Sequence, residues 1–283
     1  MPREHNRQVA RLIRYALLYV VLLALAAVVL LPFYWMVVSS FRPPAALFSS
    51  KPSLWLSTLS LEHYAHVLLR TSFIAQFKNS VIVAICTTLV CVLTGSFAGY
   101  SLSRFKVRGG FVVSVVIFLT MMFPATVVLI PLFLVFRTLR LLNTYWGLVM
   151  AYATFALPFC TWMMKGFFDS IPVELEEAAI VDGCSRAGAM FRVAFPLAAP
   201  GLAATAMFGF LLAWNEYLFA LTLTTSEDMR TLPVGLTLFS GEYYTNYGAL
   251  MAASFMVCIP VLVFFLYANR YMIQGLTAGA VKG

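Results

Sequence analysis

The sequence predicts an all-α membrane protein with six transmembrane helices, and three observations lead there. Hydrophobic residues fill 62% of the 283 positions and charged residues only 11%, with a mean hydropathy of +0.90, a balance outside the range of ordinary soluble domains. Apolar runs of roughly 20 residues or more recur, the length a helix needs to cross a hydrocarbon core. One long polar interval, Ile171 to Gly201, interrupts the second half; with the adjoining Asp169 it holds five of the eleven carboxylates (Asp169, Glu174, Glu176, Glu177 and Asp182).

The elements follow in order. Residues 1–14 carry Arg3, Arg7, Arg11 and Arg14 ahead of an apolar run, 15–38, that continues well past any cleavage-like Ala24-Leu25-Ala26. It is predicted to be an uncleaved first span with its N-terminus in the cytoplasm. Residues 39–78 are polar and broken by Pro43, Pro44 and Pro52, with an amphipathic patch from Leu61 to Leu69, and form an external segment. A core of five further spans occupies 79–270; its first member, the second span, runs from about Asn79 to Leu102 and is followed by a cytoplasmic loop with Arg104, Lys106 and Arg108. The third span, Phe111 to Phe136, contains Pro124 and Pro131, which remove helix hydrogen bonds and predict kinks, either for packing or to line a pathway. The fourth, Tyr145 to Met164, contains Pro158. The fifth runs from Ala198 to Ala220 with Asn215, Glu216 and Tyr217 near its outer end. An intramembrane carboxylate is costly unless it faces protein, water or a partner, so Glu216 is either a polar pathway residue or an interfacial one beside Trp214. An outer loop follows with Glu227, Asp228, Arg230, Tyr243, Tyr244 and Tyr247, then a sixth span, Tyr247 to Asn269, and a cytoplasmic tail, 271–283. With both termini inside, twelve of the nineteen Lys and Arg residues fall on the cytoplasmic side, in accord with the positive-inside bias.

The interval at 171–197 has its own local logic. Pro172 suits the start of a helix, and Glu174, Glu176 and Glu177 complement its N-terminal dipole. Gly183 can take positive φ and turn the chain. Ser185 to Arg192 carries Ala187, Met190 and Phe191 at helical spacing before Pro196, which is expected to stop it. Two short helices joined at Gly183 result.

Glu177-Ala178-Ala179, then Gly183 after three residues, then Val193-Ala194-Phe195-Pro196 after nine more, resembles the EAA loop of permease subunits of bacterial ABC importers of the carbohydrate, maltose-type family. That family's pattern ends in Ile-x-Leu-Pro; Val193 and Phe195 depart from it while remaining apolar. The resemblance covers about Phe73 to Gly283 and is strongest at this loop and at the tail, Gln274 to Gly283. It implies the type I importer permease fold with a cytoplasmic coupling helix. It also implies that Glu177, Ala178, Ala179, Asp182, Gly183 and Pro196 contact a separate ATPase. The tail residues Thr277, Gly279, Lys282 and Gly283 would approach the same partner, while Asn215, Glu216 and Tyr217 could touch the solute. The implied partners are a second homologous permease, a dimer of ATP-binding subunits that hold ATP and Mg, an external solute-binding protein, membrane lipid, and a sugar, di- or oligosaccharide, as cargo. The implied location is the bacterial inner membrane.

Other classes have less to stand on. No G-x-x-x-x-G-K-[ST] stretch occurs, so no P-loop for ATP is expected in this chain. His5, His63 and His66 do not assemble a ligand set, and no metal or bound cofactor is expected. No nucleophile motif points to a catalytic residue. The net charge of +8 is dispersed rather than striped, which argues against nucleic acid. The five cysteines show no pairing pattern; Cys86, Cys91, Cys160 and Cys258 sit in apolar runs as packing residues and Cys184 in the polar loop, so no disulfide is expected. A secondary transporter or channel would need intramembrane coupling groups beyond Glu216.

Overall fold

A computed structural model of the chain describes residues 2–47, 53–56, 58–105, 109–241 and 245–280. Pro52, Lys106, Arg108, Tyr243, Tyr244, Lys282 and Gly283, singled out above, lie outside the described residues. Apart from one isolated bridge, Ser240 to Thr245, the regular structure among the described residues is helical. Among the described residues, four helices are long and apolar enough to cross a membrane, and two bent pairs bring the number up to six if each pair is one span, by length and composition. The chain divides into two compact units, Met1–Thr71 with Phe239–Met256, and Ser72–Leu238 with Val257–Gly283.

The first unit is built on α1 (Pro2–Ser40). None of its most apolar stretch is buried in protein, as befits a helix that is hydrophobic all round. The chain after it folds back through specific polar contacts. Ser40 Oγ lies 2.7 Å from Tyr64 Oη, Arg42 donates to the Ser53 carbonyl, and the Arg42 guanidinium sits 4.8 Å from the centre of the Trp35 ring. The amphipathic patch forms α2 (Glu62–Arg70), which buries His63 and Val67. His63 packs so closely on Gly248 that a Cβ there would overlap its ring.

The second unit has a core of three helices, α3 (Phe73–Arg104), α6 (Tyr145–Asp169) and α9 (Ala199–Asn215). Without a hydrophobic driving force between helices in lipid, close packing at small residues holds such helices together. A Cβ on Gly99 would stand 2.7 Å from Lys165 N and 2.9 Å from Met164 Cβ, and one on Gly95 would stand 3.1 Å from Cys160 Cβ. Cys91, Ala153, Ala156 and Cys160 continue this seam as a buried cluster. The helix α3 starts six residues before the Asn79 expected from hydropathy, because its polar first turns are buried and satisfied. Asn79 Nδ2 donates to the carbonyls of Asp228 at 2.6 Å and Arg230 at 2.9 Å, its Oδ1 accepts from Tyr145 Oη at 2.7 Å, and Ser80 Oγ accepts from Leu232 N at 2.8 Å.

The expected third span is two helices, α4 (Gly110–Thr120) and α5 (Ala125–Thr138), bent by 98° at the break between them. Pro124 takes an extended conformation, φ −62 and ψ 129, and a proline also pushes the residue before it out of helical geometry. Pro131 stays inside α5. The helix α6 runs to Asp169, five residues past the expected end, and Thr144 caps its start by accepting from Gly147 N at 3.0 Å. The polar interval forms α7 (Val173–Val181) and α8 (Arg186–Leu197), the latter bent by 73° from α9. Short helices α10 (Leu218–Leu223) and α11 (Leu232–Thr237) precede α12 (Tyr247–Ala280), which contributes to both units.

Candidate functional site

The helix α7 begins directly after Pro172 and carries Glu174 and Glu176 in its first turn, where carboxylates face the free amide ends. It ends as the sequence predicts. Gly183 takes φ +94, a conformation glycine adopts without strain, and the amides of Asp182, Gly183 and Cys184 return to the carbonyls of Ala178, Ile180 and Ala179 at 2.9 to 3.0 Å. Ser185 then caps α8, its Oγ accepting from Gly188 N at 3.1 Å. Pro196 does not stop the second helix. The chain passes through a π turn at Met190–Ala194, in which Phe195 N donates to Met190 O, and continues to Leu197. Widening the turn just before the proline leaves its ring room, as local π geometry commonly does inside helices.

Burial separates the residues of α7 into two sets. Glu177, Ala178, Asp182 and Gly183 are exposed and Ala179 is half-buried. Val181 is 86% exposed, an apolar side chain outside the helices long enough to span a membrane and lacking cover from its own chain. Pro196 is exposed on α8. Glu176, one residue before the motif, is buried instead. Its Oε1 lies 2.6 Å from Arg104 Nε and its Oε2 accepts from Tyr100 Oη at 2.5 Å, with the Glu176 and Arg104 side chains only 6% and 7% exposed. Arg104 Nη2 also donates to the Ile171 carbonyl at 2.9 Å. Around them Tyr100, Met164, Phe168, Ile171, Ala194 and Ala198 form a buried cluster. A cleft of about 480 Å³ opens between the end of α3 and the α7–α8 pair, with Arg104, Glu176, Glu177 and Arg186 among its walls.

Sequence reasoning missed Glu176 and Arg104. Tyr100 and Arg104 are four residues apart and share a face of α3, which was readable, but nothing in the linear pattern says that their partner lies 76 and 72 residues on. Val181 was also missed, because it closes the apolar run Ala178-Ala179-Ile180-Val181 and only the fold shows which of those side chains is left uncovered.

Asn215, Glu216 and Tyr217 stand at the opposite end of α9, about 25 Å from Ala199 at helical rise. Asn215 and Tyr217 are exposed and Glu216 is half-buried. Glu216 ends the helix by turning extended, and its two oxygens accept the amides of Phe219 at 2.8 Å and Ala220 at 3.0 Å, starting α10. Backbone capping, an option not considered from sequence, thus occupies both oxygens of this carboxylate. The backbone of Thr277 and Gly279 belongs to α12. Among the described residues no group of three or more His, Cys, Asp and Glu side chains could hold a metal ion.

Residues 91–272 match the family described as binding-protein-dependent transport system inner membrane component. The chain is 41% identical over 255 residues to the diacetylchitobiose uptake system permease protein DasC of Streptomyces coelicolor, covering 89% of this chain and 91% of that one. It is 37% identical over 270 residues to the trehalose/maltose transport system permease protein MalG of Thermococcus litoralis, covering 94% and 96%. Among solved structures, a chain of a bacterial ABC transporter that imports the acidic polysaccharide alginate superposes with a TM-score of 0.78 at 26% identity, over 91% of this chain and 96% of that one.

Proposed function

Because the chain belongs to the family of inner-membrane components of binding-protein-dependent transport systems, we propose that it is the permease subunit of an ATP-driven importer of a di- or oligosaccharide. The observation that carries this reading is the α7 surface: Glu177, Ala178, Val181, Asp182 and Gly183 are presented outward on a loop whose other side is fixed to the core through Glu176. Small side chains let another backbone approach closely, and an exposed valine between carboxylates suits a partner groove with an apolar floor and a basic rim. The occupant is a separate ATP-hydrolysing subunit, present as a dimer that holds ATP and Mg; this chain supplies no ATPase site of its own. Relatives whose names record diacetylchitobiose and trehalose/maltose transport support the sugar class of cargo.

The chain forms half of the pathway beside a second, homologous permease. Both termini and the α7–α8 loop face the cytoplasm, and the opposite end meets an external solute-binding protein. There Asn215 and Tyr217 face the solute while Glu216 fixes the turn between them and α10. Ala179 and Pro196 border the docking surface, and the tail with Thr277, Gly279, Lys282 and Gly283 contacts the ATPase dimer. ATP binding closes that dimer, draws the docked loops together and rocks the spans from inward-facing to outward-facing; hydrolysis resets them. The test is uptake by the whole complex in proteoliposomes. Wild type is expected to accumulate sugar only with ATP inside, whereas Glu177→Lys and Gly183→Pro insert normally but lose uptake. Normal uptake by both variants would remove the coupling role of the loop.

A further inference from the structure

A push on α7 reaches the membrane spans only through contacts that do not yield. Resting on the importer reading above, we infer that Glu176, Arg104 and Tyr100 form a rigid strut that carries motion of the docked loop into α3. Glu177 and Ala178 face outward, but Glu176 points into the protein, and each of its oxygens is held by a different side chain, Arg104 at 2.6 Å and Tyr100 at 2.5 Å. Those two residues are four apart on α3, about 6 Å along its axis, so two successive turns of the helix converge on one carboxylate. Such a grip resists both sliding and rotation of α7. Arg104 Nη1 donates to Ser103 Oγ at 3.1 Å, and Nη2 donates to the Ile171 carbonyl at 2.9 Å, at the corner between α6 and α7. One guanidinium therefore ties together the end of α3, that corner and the docking helix.

The chemistry suits transmission better than mere cohesion. Apolar residues of like volume stabilise a fold as well as a buried ion pair does; what the pair adds is a defined geometry, and a large penalty when one partner is taken away. A nine-residue helix such as α7 is too short to hold itself rigid in water, so its orientation is set by this anchor. A second ion pair nearby provides the contrast. Lys165 and Asp169 also meet at 2.5 Å, but they are neighbours on α6 and are 26% and 44% exposed, so the ion pair itself lies within one helix and is open to solvent.

The test uses the complete complex in proteoliposomes and reads solute moved per ATP hydrolysed, with ATPase content measured in each preparation. Glu176→Gln, which keeps the shape and removes the charge, is expected to retain the ATPase and to lower the ratio about 5-fold or more, the size of a typical coupling between sites. Arg104→Lys and Tyr100→Phe, each keeping part of the grip, should fall between it and wild type. A wild-type ratio in Glu176→Gln and Arg104→Lys complexes would overturn the inference. If Glu176→Gln fails to assemble, Tyr100→Phe decides, since it removes a single hydroxyl: an unchanged ratio there overturns the strut. A wild-type complex that takes up no solute with ATP would instead overturn the importer reading, and the strut with it.

Discussion

Two glycines on facing helices show how position decides the effect of the same substitution. Gly99 has Lys165 N within 2.7 Å of where a Cβ would stand, whereas Gly166 has nothing within 4 Å. A backbone nitrogen cannot swing aside, so Gly99→Ala forces α3 and α6 apart at a cost of about 1–3 kcal/mol. Gly166→Ala is expected to be neutral or stabilising by about 0.5–1 kcal/mol. Thermal unfolding of the two variants in detergent checks the contrast, and equal midpoints would contradict the packing of the seam. His63, outside the spans, is lowered from its ordinary pKa of 6.5 chiefly by burial, with the Arg42 backbone and Glu62 pulling it back up. The folded chain thus holds this proton less tightly than the unfolded one. The contribution is intact above a pH of about 6.5 and is lost as the pH falls below it. Wild type should lose more stability between about pH 7.5 and 5.5 than His63→Gln; parallel losses would show that His63 is not the group responsible.

At the scale of elements, caps and breaks decide what hydropathy cannot. Thr144 and Ser185 each satisfy an amide at a helix start, Gly147 N and Gly188 N, and replacing either by alanine is expected to cost about 1 kcal/mol. The sites differ in consequence. Thr144→Ala should lower the unfolding midpoint of the core, while Ser185→Ala should loosen α8 and speed amide hydrogen exchange at Gly188 with little effect on α6. Apolar runs, arginine flanks and the Gly183 turn made the spans, their order and the α7–α8 pair legible in the sequence. The ends of those spans were less legible, for physical reasons. Asn79 and Ser80 look like the end of a helix until their partners, supplied from residues 228 to 232, are in place. The fifth span stops at Asn215 because Glu216 prefers two backbone amides to another helical turn. Pro124 could be read as a kink, but not as a break of 98°, since composition gives the lost hydrogen bond and not the direction the chain then takes.

At the scale of the whole molecule, the proposed docking surface rests on the spacing of Glu177, Ala178, Ala179 and Gly183, while the attachment of α7 to the core was not legible in the sequence, because Arg104 and Glu176 are joined only by the packing of α3 against the loop. The helix α7 thus has one face exposed and one held to α3, the arrangement that the proposed docking requires. The most direct test is a photo-reactive phenylalanine analogue placed at Val181, irradiated in the intact membrane complex, with the cross-linked product identified by mass spectrometry. Cross-linking to an ATP-hydrolysing subunit, diminished by Glu177→Lys, is the expected result. Cross-linking only to lipid or to an external solute-binding protein would contradict the coupling role of this loop.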